Sequence, residues 1–319
     1  MGGPSMKLAR GKQADKFKRT GISHKAFKEH MTAYSMIFPA MFFFFLFLVI
    51  PIFKALQMSF YDYSGIGPLE DFIGLGNYAA SVADADLYGA IYNTLKLVVL
   101  DVLISTLVGF FLAYLLFVRI RAWKFYSVAL YIPAIVPVAV AGLIWRQIYE
   151  PTQGLLNSIL GSMGLDSLKG MWLGSMDLAM GSVIASWVWR VIPFIMLILY
   201  SGMLRIPEEL FESARIDGAK EMDILRKIVL PYMMPVISIL VIYVIATDFR
   251  AFDMVWVLTQ GGPGNVTQIA TVYVYKLAVS FYQYGYANAV GIEIFFIVGG
   301  LVYLFVMLMK KLGLSDDSI

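Results

Sequence analysis

Three ionisable side chains stand inside stretches that are otherwise apolar: Arg190, Asp248 and Glu293. A charge at the centre of a hydrocarbon layer costs about 2.5–3.5 kcal/mol on insertion scales, so such groups turn toward a polar interior and meet one another or a polar solute there. Arg190 is the most central, with Trp187, Trp189, Pro193 and Phe194 close in sequence. Other chemistry is scarce. The chain has no cysteine, and its two histidines, His24 and His30, lie in a polar N-terminal segment. A disulfide framework, a cysteine metal site, and a histidine metal site or Ser-His-Asp constellation among the apolar stretches are thereby excluded. No metal site and no catalytic residue is expected.

The elements that must carry these charges follow from composition. The 319 residues are 60% hydrophobic and 15% charged, against about 45–50% and about 25% in soluble domains. Six stretches reach the roughly 20 apolar residues that cross a bilayer: 34–53, 97–118, 127–145, 178–203, 235–258 and 287–309. The expected fold class is an all-α polytopic membrane protein with six transmembrane helices. Residues 1–31 form a basic tail, 32–311 the six-span domain and 312–319 a C-terminal tail. The first stretch has a long polar lead and no small-residue cleavage site behind it, so it reads as a retained anchor. Asp101, Arg250 and Asp253 lie nearer the ends of their stretches and are expected to be structural.

Lysine and arginine set the orientation. Eighteen of them lie in the N-terminal tail, after the second stretch, between the fourth and fifth, and at the C-terminus, against two, Lys169 and Lys276, in the opposite loops. Both termini and the fourth-to-fifth connection are therefore expected in the cytoplasm, and the basic tail is placed to meet anionic lipid. The outer loops, 57–89, 148–177 and 259–286, are too small for a separate domain.

The cytoplasmic connection 204–231 is patterned. Pro207 followed by Glu208 and Glu209 reads as a helix N-terminus, where proline fits and carboxylates meet the positive end of the dipole. Leu210, Phe211 and Ala214 fall on adjacent turns, and Gly218 ends the helix. A second short helix carries Met222, Leu225, Ile228 and Val229, and Leu230-Pro231 marks a turn into the fifth span.

Glu212-Ser213-Ala214, Gly218 and Ile228-Val229-Leu230-Pro231 keep the spacing of the EAA loop of ABC-importer permeases, with Ser213 in place of alanine. The chain resembles that family. Phe72-Ile73-Gly74-Leu75-Gly76-Asn77-Tyr78, Leu258-Thr259-Gln260-Gly261-Gly262-Pro263 and Gly285-Tyr286-Ala287-Asn288-Ala289 resemble its sugar branch, the six-span relatives of the larger maltose-importer membrane subunit. The extra N-terminal spans and large outer domain of that subunit have no counterpart here.

The resemblance implies a type I importer permease in the bacterial inner membrane, forming half of a path for a sugar or related solute. It implies that Glu212, Ser213, Ala214, Asp217 and Gly218 form a coupling helix that seats in the ATPase. It also aligns the sugar-contacting positions of the maltose-type subunit with Trp187, Arg190, Val191, Phe194, Thr247, Asp248 and Ala251. Aromatic faces beside hydrogen-bonding groups suit a sugar. Two of these positions are charged, so Arg190 and Asp248 either pair with each other or one of them touches the solute. The implied partners are an ATPase dimer, a second permease and an external binding protein; nucleic acid is not among them. The chain has no Gly-x-x-x-x-Gly-Lys-Ser/Thr loop, so ATP and magnesium are expected on the ATPase and no cofactor or enzymatic activity here. Two other readings remain: a permease of the same type for glycerol phosphate or another non-sugar solute, and an ion-coupled carrier using Asp248 or Glu293.

Overall fold

The computed structural model describes residues 24–313. The expectations for the basic tail before residue 24 and for the last six residues lie outside the described residues. The chain divides into two compact units, Met1–Gln57 and Met58–Ile319.

In the first unit, helix α1 (His24–Phe44) runs through a π-turn at Phe45–Val49 into α2 (Ile50–Met58). The window of Met31–Met58 is apolar enough to cross a membrane. Phe43 and Phe47 stack along it, ring centroids 6.0 Å apart.

Among the described residues of the second unit the regular elements are helices, with one isolated bridge between Tyr61 and Phe72 in a connecting loop. Its elements are α3 (Gly76–Ser81), α4 (Ala85–Phe117), α5 (Trp123–Ile135), α6 (Val138–Ile148), α7 (Leu155–Ser162), α8 (Ala179–Met203), α9 (Glu208–Ile216), α10 (Glu221–Ile224), α11 (Leu230–Asp248), α12 (Asp253–Leu258), α13 (Ala270–Tyr275) and α14 (Tyr284–Lys311). Among the described residues five helical runs are long and apolar enough to cross a membrane, and the pair α5–α6 makes a sixth if it is one span.

Helix α8 is the hub. It buries Val183, Ile195, Met196, Leu199 and Met203 completely or nearly so, and α4 lies along it. Gly109 allows the approach: a Cβ there would stand 2.9 Å from Ile195 Cγ2. Asp84 starts α4 by accepting the Leu87 N–H at 3.1 Å, a capping bond that satisfies one of the free donors of a first turn. Its other oxygen accepts the Tyr273 and Tyr286 hydroxyls, each at 2.5 Å. Burial opposes the charge on Asp84, but the bonds from Tyr273, Tyr286 and the backbone outweigh it and hold the pKa below the usual carboxylate value. One carboxylate thus ties the outer end of α4 to α13 and α14.

Four expectations need correction. The third span is bent by 99° between Ile135 and Val138, because Pro137 lacks an N–H and holds Val136 extended (ψ 127°). The second span begins at Ala85 rather than near residue 97, since Asp84 caps a first turn that a hydropathy window passes over. The fifth ends at Asp248; after a break at Phe249–Phe252, α12 packs under α6, where a Cβ on Gly142 would stand 3.0 Å from Val257. Finally, Leu230-Pro231 is no turn. One helical run spans Glu221–Asp248 through a π-turn at Leu225–Val229, and Pro231 follows directly on that π-turn, where the widened ladder accommodates its ring and its missing N–H.

Candidate functional site: a cavity between the spans and a surface helix

Helices α5, α8 and α11 enclose a cavity of about 120 Å³. Arg190, Val191, Phe194, Thr247 and Asp248 line it, together with Tyr131, Ala134, Tyr243 and Val244. The spacing accounts for this. Arg190 and Phe194 are four apart on α8, Tyr243 and Thr247 four apart on α11, so each pair shares one helix face. The Phe194 and Tyr243 rings meet at 5.0 Å. Two other anticipated residues stand outside the lining. Trp187 is buried and donates its indole N–H to Asp248 Oδ1 at 2.9 Å. Ala251 is buried, and its carbonyl accepts the Thr271 hydroxyl.

Arg190 and Asp248 do not form an ion pair; the ion pairs among the described residues are Lys169–Asp166 and Lys227–Asp223. Asp248 is held by Trp187 instead. Its Oδ2, the Thr247 hydroxyl and Arg190 Nε are buried without a hydrogen-bond partner. Asp101 is fully buried, its two oxygens also lack partners, and it interacts electrostatically with Asp248. Its expected place near a membrane face is therefore wrong, because the early start of α4 puts it at mid-helix. Glu293 is not part of the cavity. It accepts the Ser81 hydroxyl at 2.6 Å, joining α14 to the outer-loop helix α3. Arg250 is exposed and folds back on the Ala246 carbonyl at 3.2 Å, and Asp253 is exposed in the first turn of α12. Tyr131 and Tyr243 escaped the sequence reading, although each is a polar group within an apolar stretch.

On the face given by the basic residues, α9 begins after Pro207 and ends as its sequence suggests. Ala219 N–H reaches the Ala214 carbonyl at 2.9 Å and Gly218 N–H the Arg215 carbonyl at 3.1 Å, with Gly218 at φ +77°. This is the left-handed close that glycine favours. Phe211 packs on Phe117, centroids 5.7 Å apart, and Ala214 and Ala219 also rest on the core. Glu212, Ser213, Asp217 and Gly218 stay exposed. So do two apolar residues that the motif does not mark, Leu210 at 43% and Ile216 at 86%.

Residues 105–312 match the model of the family described as binding-protein-dependent transport system inner membrane component. The chain belongs to this family. Such a component is a multi-pass inner-membrane permease and not itself catalytic. The permease is 32% identical over 259 residues, 81% of its length and 88% of the relative's, to the probable ABC transporter permease protein YurN of Bacillus subtilis. It is 31% identical over 268 residues, 83% of its length and 90% of the relative's, to the multiple sugar-binding transport system permease protein MsmF of Streptococcus mutans. Its fold is that of a chain in the crystal structure of a bacterial ABC transporter involved in import of the acidic polysaccharide alginate, with TM-score 0.80 and 23% identity over 90% of this chain and 98% of that one.

Proposed function

We propose that the permease forms half of the membrane path of an ATP-driven sugar importer, with α9 as the element that couples it to a separate ATPase. The observation that carries the proposal is α9 itself. It is short, closed by a left-handed glycine and fixed to the spans by Phe211, and it shows solvent two unpartnered apolar side chains beside Glu212 and Asp217. A helix built this way passes on a push as a rigid body. The substrate class rests on relatives, among them MsmF and the trehalose/maltose transport system permease protein MalF of Thermococcus litoralis. The cavity chemistry agrees: three aromatic rings, a guanidinium, three hydroxyls and a carboxyl suit a polyhydroxylated ring. The working assembly comprises two ATPase subunits carrying ATP and magnesium, a second permease and an external binding protein, with α9 in the cytoplasm.

Mild-detergent purification of the full chain from its native membrane tests this. An ATPase and a second multi-span permease should elute with it, and the binding protein encoded alongside should retain a saccharide. Reproducible elution alone would refute the importer reading; a binding protein that holds only non-saccharide solutes would refute the substrate class.

A further inference from the structure

The loop after α12 holds two non-glycine residues in the left-handed region, Gln260 at φ +54° and Asn265 at φ +64°, alongside Gly261 and Gly264. Such strain persists only where the surroundings impose it, and it gathers at binding and switch sites. Here the surroundings are specific. Thr267 donates to the Gly262 carbonyl at 2.7 Å, and Asn93 of α4 donates to the Asn265 and Gln268 carbonyls at 3.1 and 3.0 Å. The loop is thus clamped from both sides.

Beside it lies an open crevice of about 440 Å³ between the loop and the segment after α13. Trp256 forms one wall, its ring fixed by Phe252 at 5.5 Å and Tyr275 at 4.7 Å. Phe281, 59% exposed, also lines the crevice. The polar groups are under-used. Lys276 spends one donor on Gln268 Oε1 at 2.7 Å, while the Trp256 indole N–H and the side-chain amides of Gln260 and Asn265 make no hydrogen bond among the described residues. A fixed aromatic face ringed by free amide, indole and ammonium donors is what a saccharide needs, with its C–H faces and hydroxyl edge.

We propose that this crevice is an outer saccharide subsite, holding one end of an oligosaccharide as it enters from the binding protein. The inference rests on the sugar-importer reading and goes beyond the cavity of α5, α8 and α11.

The test uses the complete importer in proteoliposomes with its own binding protein. Oligomers of glucose, galactose and N-acetylglucosamine, one to four units long, serve as probes. Gln260→Gly removes an amide where glycine is at ease; Lys276→Ala removes the ammonium. Each should cut uptake of three- and four-unit sugars about threefold to tenfold, the worth of one or two hydrogen bonds, and leave single units nearly unchanged. Without binding protein, a transported trisaccharide should alter tryptophan fluorescence of the complex, and Trp256→Phe should abolish that change. Equal losses at every length would mean that the loop seats the binding protein instead, and unaltered uptake would equally overturn the subsite. If the parent importer carries none of the probes, the sugar reading fails, and the subsite with it.

Discussion

Arg190 and Asp248 show how far residue-level reading reaches. Their cost inside an apolar stretch placed both beside a polar interior, and they do line one cavity. What each one touches was not legible, because that depends on rotation of α8 against α11 and on Trp187, whose indole N–H takes the Asp248 oxygen an arginine would otherwise claim. A double-mutant cycle separates the two arrangements. Trp187→Phe and Asp248→Asn should couple in initial uptake rate by about 0.5–3 kcal/mol, the range for groups sharing a hydrogen bond. Arg190→Gln combined with Asp248→Asn should show the smaller coupling, and the reverse order would mean that the arginine is the true partner of Asp248. Asp101 was misplaced for a related reason: its depth depends on where α4 begins, which the Asp84 cap decides and a hydropathy window does not see.

Among the elements, α9 was the most legible. Proline, two glutamates and a glycine at the right intervals define both of its ends locally, with no need of tertiary contacts. The spans themselves were legible as apolar stretches, but their breaks were not. The 99° bend of α5–α6 and the continuous run from Glu221 to Asp248 are decided by what surrounds Pro137 and Pro231, one opening a helix after a bend and the other taken up by the π-turn just before it. Gly218→Asp should leave the chain inserted. Gly218 faces open space, so the cost is the left-handed backbone, roughly 1–2 kcal/mol. The same substitution should abolish stimulation of ATP hydrolysis by loaded binding protein; retained stimulation would remove α9 from the coupling role. Packing between elements has its own test. Gly109→Val should lower the detergent melting temperature of the complex, because overfilling a tight contact costs about 1–3 kcal/mol and the Ile195 side chain leaves no room. An unaltered melting temperature would show that α4 and α8 can move apart freely.

At the scale of the whole molecule, orientation comes from the distribution of lysine and arginine and is open to direct measurement, since the chain has no cysteine to confuse labelling. In intact cells a membrane-impermeant maleimide should label Gly164→Cys and spare Ile216→Cys until the membrane is opened. The opposite pattern would invert the topology and leave α9 out of reach of any cytoplasmic ATPase. Architecture at this scale was visible early because hydrocarbon thickness imposes span length on sequence. The apolar part of the coupling surface was not, since exposure of Leu210 and Ile216 gains meaning only once Phe211 and Ala214 are seen to take the core-facing side of α9. The most direct measurement is uptake of labelled saccharide into proteoliposomes containing this permease, its partner permease and the ATPase, with sugar-loaded binding protein outside and ATP inside. ATP-dependent accumulation that requires the binding protein and is lost in Gly218→Asp is the expected result. Accumulation driven by a proton or sodium gradient without ATP would contradict it.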